Sequence, residues 1–185
     1  ERIGSRSWFD PRRLLVAGAG PIGLLAALLG MQRGLEVHVL DRVERGVKPE
    51  LVAGLDAAYH TGGLAEAAAR IAPDVVVETT GAPRLVLDAI TANAPYGIVC
   101  LVGLSADRTR VPVAAGALNR EIVLENDAFF GSVNANPRHY ALAARALSWA
   151  DRTWLARLVT RRLPLERAAE AFEERVEDVK TVIDL

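Results

Sequence analysis

Along most of the chain, short continuous apolar runs alternate with longer stretches of helical period. Runs of this kind, without polar alternation, are typical of strands covered on both faces. Those at residues 14–17, 37–40, 57–60, 75–78, 97–102 and 129–133 predict six strands. A helix of small and aliphatic residues is predicted after the first strand, and others near residues 49–54, 64–71, 83–92 and 114–120. Thr61-Gly62-Gly63, Pro73-Asp74 and Thr79-Thr80-Gly81 punctuate the pattern as turns, and residues 106–110 form a charged link. Strand–helix alternation predicts an α/β fold: a doubly wound parallel sheet with right-handed crossovers and helices on both faces. Beyond Pro137 the alternation stops. Residues 139–150 read as an amphipathic helix, 154–159 as a helical continuation, and 165–176 as a helix with Glu173, Glu174 and Glu177 outward. Residues 180–185 read as a strand with no evident partner, which predicts pairing with protein outside this chain.

The first crossover carries the most specific signal. The apolar run ending at Ala17 enters Gly18-Ala19-Gly20-Pro21-Ile22-Gly23, and the next strand ends at Asp41, eighteen residues past Gly23. This is the order of a dinucleotide-binding Rossmann unit. Gly18 permits the tight turn, Gly20 lets bare backbone approach a pyrophosphate, and Gly23 lets helix and strand pack closely. Unpaired N–H groups and the positive dipole end at the helix start then face the phosphates. Pro21 suits the first helical turn because it has no N–H to leave unsatisfied. The competing reading is a glycine-rich turn in an α/β protein that binds no nucleotide.

In such a sheet, ligands bind outside the carboxyl ends of the strands. The candidate positions are therefore the glycine turn, Asp41 and Arg42, Thr79-Thr80-Gly81, Leu101-Val102-Gly103 and Ser132-Val133-Asn134. Asp41 can accept hydrogen bonds from the adenosine ribose hydroxyls, and a 2′-phosphate there meets like charge. That contact costs about 1 kcal/mol in water and about 4 kcal/mol at an effective dielectric near 20. NAD is favoured on this ground, with NADP or dual use open because Arg42 can offset the repulsion. Arg42 reads equally as a plain surface arginine. Asn134 reads equally as a ligand contact or as turn chemistry, whereas Asn136 reads as the cap of the helix opened by Pro137.

Composition narrows the remaining choices. The 185 residues are 51% hydrophobic with a net charge of -1, which argues against nucleic acid or an anionic membrane as the main partner. The longest apolar stretch, residues 22–31, is too short to span a bilayer. Glu1 is not an initiator methionine and no signal peptide is visible, so the chain is expected to be processed or part of something longer. Cys100 is the single cysteine, which excludes an internal disulfide or a multi-cysteine zinc site in these residues and fits a cytoplasmic location. His38 and His60 read as structural, His139 has no visible catalytic partner, and Trp8, Trp149 and Trp154 read as packing residues. No Ser/His/Asp set, metal spacing or carboxylate pair rises above chance, so no catalytic or metal-binding residue is assigned.

Several longer runs then carry a family resemblance: VAGAGPIGLLAAL, DVVVETTGAP, GIVCLVGLS, NDAFFGSVNANPRHY and the tail WLARLVTRRLPLERAAEAFEERVEDVKTVIDL. Together they resemble the zinc-dependent medium-chain dehydrogenases, in particular the glucose 1-dehydrogenase branch, and only the second half of such an enzyme. The resemblance implies oxidation of glucose or a related sugar or polyol by hydride transfer to NAD(P). Zinc and the proton relay would come from an amino-terminal domain outside this chain, so this part alone is expected to be inactive. It implies that residues 1–11 connect from that domain, 12–136 bind the dinucleotide, and 137–185 return to it. It further implies that Ala19, Gly20, Pro21 and Ile22 hold the pyrophosphate and that Asp41 and Arg42 meet the adenosine ribose. Thr79, Thr80 and Gly81 would line the adenosine side, and Leu101, Val102 and Gly103 the nicotinamide ribose. Ser132 and Val133 would flank the nicotinamide, Asn134 would touch substrate hydroxyls, and Lys180 would reach the cofactor phosphates. NADP-using relatives carry a neutral residue and consecutive arginines where this chain has Asp41-Arg42-Val43, which strengthens the NAD preference. A dimer or tetramer is implied, with the sixth strand pairing across a two-fold axis. The alternatives are a zinc-free quinone or enone reductase, a non-catalytic NAD-sensing module, and a flavoprotein.

Overall fold

The computed structural model describes residues 10–106, 108–173 and 175–185. Trp8, Glu174 and nearly all of the connecting segment 1–11 lie outside the described residues.

Six strands form one sheet: β1 (Arg13–Ala17), β2 (Glu36–Leu40), β3 (Ala58–His60), β4 (Val75–Glu78), β5 (Ile98–Leu101) and β6 (Ala128–Gly131). Their spatial order is β3-β2-β1-β4-β5-β6, and every pairing is parallel. The order reverses between β1 and β4, which makes the doubly wound, Rossmann-type topology expected from the alternation. Successive residues of a strand face opposite sides of the sheet, and β1 shows the consequence. Leu14 and Val16 join one apolar cluster with α1 (Pro21–Gln32) and α2 (Val47–Ala53). Leu15 and Ala17 join a second cluster with α3 (Leu64–Ile71) and α4 (Pro83–Ile90). Both faces are thus covered by helices.

Covering is thinner toward β6. Helix α5 (Ala115–Glu125) buries none of its described residues, and α6 (Pro137–Trp149) buries only Ala146. Trp149, expected as a packing residue, is 71% exposed, a correction that follows from this shallow seating. Trp154, in α7 (Arg152–Arg157), does pack: it sits in the first cluster and its indole N–H donates to the Leu51 carbonyl at 2.7 Å.

The carboxyl-terminal part departs most from expectation. Helix α7 stops at Arg157, and residues 159–164 are a strand, β7 (Val159–Pro164), that the pattern did not reveal. The closing strand β8 (Lys180–Asp184) pairs parallel with β7, so it has a partner within the chain. An irregularity between Val159 and Arg161 breaks the alternation, and Arg161 turns inward to Asp178 at 2.9 Å. A strand arginine drawn into a half-buried ion pair reads from sequence as a polar, solvated stretch. The helix expected over 165–176 is a 3₁₀ helix (Leu165–Phe172) with non-helical backbone at Arg167.

Candidate functional site

At the carboxyl edge of the main sheet, backbone hydrogen bonds join each turn to the next strand. Asp41 N donates to the His60 carbonyl at 3.1 Å, and Gly18 N to that of Leu40 at 2.7 Å. Thr79 N donates to Ala17 at 2.9 Å, while Val102 N and Gly103 N donate to Glu78 at 2.8 and 3.0 Å. Ser132 N completes the row by donating to the Leu101 carbonyl at 2.9 Å. The sequence-predicted positions Gly18 to Gly23, Asp41, Thr79 to Gly81, Leu101 to Gly103 and Ser132 therefore stand along one edge. Strands β5 and β6 end one and two residues sooner than the apolar runs suggested, which leaves Val102, Ser132 and Val133 outside the strands.

The glycine turn shows why its residues are small. Gly18 has φ +105, which favours glycine, and an added Cβ would lie 2.6 Å from Thr79 Oγ1. A Cβ at Gly23 would lie 1.9 Å from the Gly18 carbonyl oxygen. At Gly20 the contrast is complete: a Cβ there would meet nothing within 4 Å. Gly20 is not required by packing, and the space in front of it is open. Helix α1 starts there with Pro21 in its first turn and no side-chain cap, so its leading N–H groups face that space.

Asp41 is tied into the same turn. Its Oδ2 accepts from Ala19 N at 2.7 Å and its Oδ1 from Val43 N at 3.1 Å. Lys48, in the first turn of α2, places its ammonium 3.9 Å from Asp41 Oδ2. The Tyr59 hydroxyl donates to the Val43 carbonyl at 2.6 Å. Burial, reinforced by the Asp41 charge, pushes that hydroxyl up to about 12. Arg42 is exposed beside this cluster.

Glu78 organises the next turn. Its side chain is fully buried, and Oε1 accepts from Thr80 N at 2.7 Å, from Thr80 Oγ1, and from Gly81 N at 3.0 Å. Gly81 and Gly103 touch backbone to backbone, since a Cβ on Gly103 would lie 2.1 Å from Gly81 N. Ser105 Oγ donates to the Gly81 carbonyl at 2.7 Å. Sequence reasoning missed Glu78 and Lys48 as members of this edge. Glu78 read only as the last strand residue, and Lys48 fell just before the helix expected at residue 49.

Asn136 caps α6 as expected, accepting from His139 N at 3.0 Å, while His139 Nδ1 accepts from Asn136 N. Asn134 is exposed and, with Ser132, Cys100, Phe130, Leu29 and Trp149, lines a cavity of about 540 Å³. Lys180 opens β8, in the separate two-stranded sheet, and is exposed. His38 and His60 bond each other, Nδ1 to Nε2, at 3.0 Å, and His38 Nε2 meets Glu36 at 3.1 Å. Among the described residues no group of three or more His, Cys, Asp or Glu could hold a metal ion, and no helix is long and apolar enough to cross a membrane.

Comparison with known proteins agrees with this geometry. A family model described as the glucose dehydrogenase C-terminus matches residues 1–185. Glucose 1-dehydrogenase of Methanocella arvoryzae is 35% identical over 192 residues, covering 100% of this chain and 54% of the relative. That of Halobacterium salinarum is also 35% identical, covering 98% of this chain and 53% of the relative. The crystal structure of Haloferax mediterranei glucose dehydrogenase in complex with NADP, Zn and gluconolactone superposes with a TM-score of 0.88 at 31% identity. It is covered over 54% of its length by 98% of this chain. The chain thus spans about half the length of the relatives it matches.

Proposed function

The chain belongs to the family of glucose dehydrogenase C-termini, and on that premise we propose that it is the dinucleotide-binding half of a zinc-dependent sugar dehydrogenase. The complete enzyme oxidises glucose or a related sugar or polyol by hydride transfer to NAD or NADP. The observation that carries this reading is the open space before Gly20, faced by an uncapped helix start and flanked by Asp41. A methyl group would fit there sterically, so the glycine is explained by what must approach its backbone.

The residues present fit a dinucleotide. Ala19, Gly20, Pro21 and Ile22 border the pyrophosphate, where free N–H groups and the helix dipole favour an anion. Asp41 keeps acceptor capacity beyond its two backbone bonds and takes the adenosine ribose, with Arg42 beside it. Thr79, Thr80 and Gly81 line the adenosine side, held in shape by Glu78. Leu101, Val102 and Gly103 lie under the nicotinamide ribose, and Ser132 and Val133 flank the ring. Asn134, exposed past the end of β6, offers its amide to substrate hydroxyls. Lys180 approaches the phosphates from the β7–β8 unit. Residues 12–136 form the binding domain, and 137–185 lead to the catalytic one.

When bound, the nicotinamide accepts the hydride, and the protein contributes position and electrostatics. Zinc, present in the Haloferax structure, acts in such enzymes as a Lewis acid and is assigned to ligands outside this chain. Strand β6 lies at an edge of the sheet, and a second copy pairing there gives the oligomer. Titration calorimetry with NAD and NADP tests the reading. Micromolar to millimolar binding is expected, and absence of binding by both dinucleotides overturns it.

A further inference from the structure

Lys48 does not fit a surface role. It is only 9% exposed, yet it makes no side-chain hydrogen bond among the described residues, and its one ion pair spans 3.9 Å. At that separation the contact is electrostatic and not a hydrogen bond. The stem is buried while the ammonium, which carries three donors, keeps contact with solvent, so those donors face outward over Asp41 and are free to meet a ligand. Asp41 does not need it for satisfaction, because both carboxylate oxygens already accept backbone N–H groups.

The location gives the unspent donors a use. Lys48 stands over the carboxylate that ends β2, the group expected to exclude a 2′-phosphate by charge. With Lys48 at 3.9 Å that carboxylate is one half of a neutral pair. Arg42 adds a positive charge on the exposed side, while Glu44 and Arg45, both exposed, cancel each other. A phosphate arriving at the ribose 2′ position therefore meets net positive charge, with an ammonium ready to donate. We propose that Lys48 is the residue that reads the adenosine 2′ position, donating to a 2′-phosphate so that the site accepts NADP as well as NAD.

This rests on the dinucleotide reading above, and the test separates the two. On the unaltered protein, calorimetry compares 5′-AMP with 2′,5′-ADP, and NAD with NADP. The 2′-phosphorylated member of each pair is expected to bind at least as well as its partner. If 5′-AMP and NAD bind while the 2′-phosphorylated ligands bind about tenfold more weakly or worse, the proposal fails and the dinucleotide reading stands. If nothing binds, both fall. Lys48→Met keeps the aliphatic stem and removes the charge. It is expected to weaken NADP about tenfold or more and NAD less than about threefold, with part of the NADP loss recovered in Lys48→Arg. Equal losses for the two dinucleotides would assign Lys48 to structural support of Asp41 and overturn the proposal. The comparison on the unaltered chain decides the matter even if the variant fails to fold.

Discussion

Glu78 and Thr80, two residues apart, are joined by two hydrogen bonds to one carboxylate oxygen, which accepts from the Thr80 amide at 2.7 Å and from its hydroxyl. The same oxygen takes the Gly81 amide at 3.0 Å, and the side chain has no exposed surface. A buried acid at the sheet edge thus replaces solvent for a turn that would otherwise leave its N–H groups unpaired. Glu78→Ala leaves these donors unsatisfied around a cavity, so a loss of about 3 kcal/mol is expected in denaturant unfolding. Glu78→Gln keeps an oxygen in the same place and is expected to lose about 1 kcal/mol. A similar loss in both variants would show that the carboxylate is not the organising group.

Gly20 and Gly23 separate binding from folding within a single turn. Gly20 has φ −78, which alanine adopts freely, and open space beyond it. Gly20→Ala is therefore expected to change stability by less than about 0.5 kcal/mol while weakening dinucleotide binding about tenfold. Gly23→Ala drives its methyl to 1.9 Å from the Gly18 carbonyl oxygen, so the turn must move. A loss of about 3 kcal/mol is expected there. Thermal unfolding and calorimetry on both variants check the pair, and a strongly destabilised Gly20→Ala would count against the open-space argument.

How far the sequence disclosed this arrangement depended on whether each residue obeys its local pattern. Val75, Val76 and Val77 predict a strand because β-branched residues fit a sheet covered on both faces, whereas the half-exposed β3 and β6 were legible only as short apolar or aromatic runs between turns. The glycine turn was legible because close backbone approach leaves a fixed spacing. Strand β7 was not legible, since Arg161 and Arg162 look solvated until Asp178, seventeen residues beyond Arg161, is brought to 2.9 Å from its guanidinium. Lys48 was hidden for the same reason: a lysine in a linker reads as exposed, and only the fold brings it to Asp41. Glu78 and Lys48 are both charges buried by tertiary structure, which local periodicity does not encode.

Asp41 has two duties that mutation should separate. It accepts the Ala19 and Val43 amides and balances Lys48, so Asp41→Ala is expected to cost about 2 kcal/mol of stability. Removing Lys48 as well removes the uncompensated ammonium. The Asp41→Ala, Lys48→Met double variant should accordingly be more stable than the sum of the two single effects predicts. In binding, Asp41→Ala is expected to weaken NAD more than NADP, because the ribose hydroxyls lose an acceptor while the 2′-phosphate loses a repelling charge. Equal weakening of both would sink the ribose assignment.

The His38–His60 pair at the outer edge of the sheet sets an acid limit on stability. The two rings share one hydrogen bond at 3.0 Å, with Glu36 on the far side of His38 and Arg70 on α3 acting on His60. Burial lowers His60 below its ordinary value of 6.5, and the charges of His38 and Arg70 push the same way. The unfolded chain therefore binds this proton more readily than the folded one, so acid favours unfolding. The stability is fully present above pH 6.5 and is lost as pH falls from there through the lowered value. Melting temperatures measured from pH 8 downward are expected to be flat with respect to this group and then to decline below about 6.5. His60→Gln, which cannot take up a proton, should flatten that decline. A decline of the same slope in the variant would place the acid sensitivity in other groups and leave the histidine pair a purely structural contact.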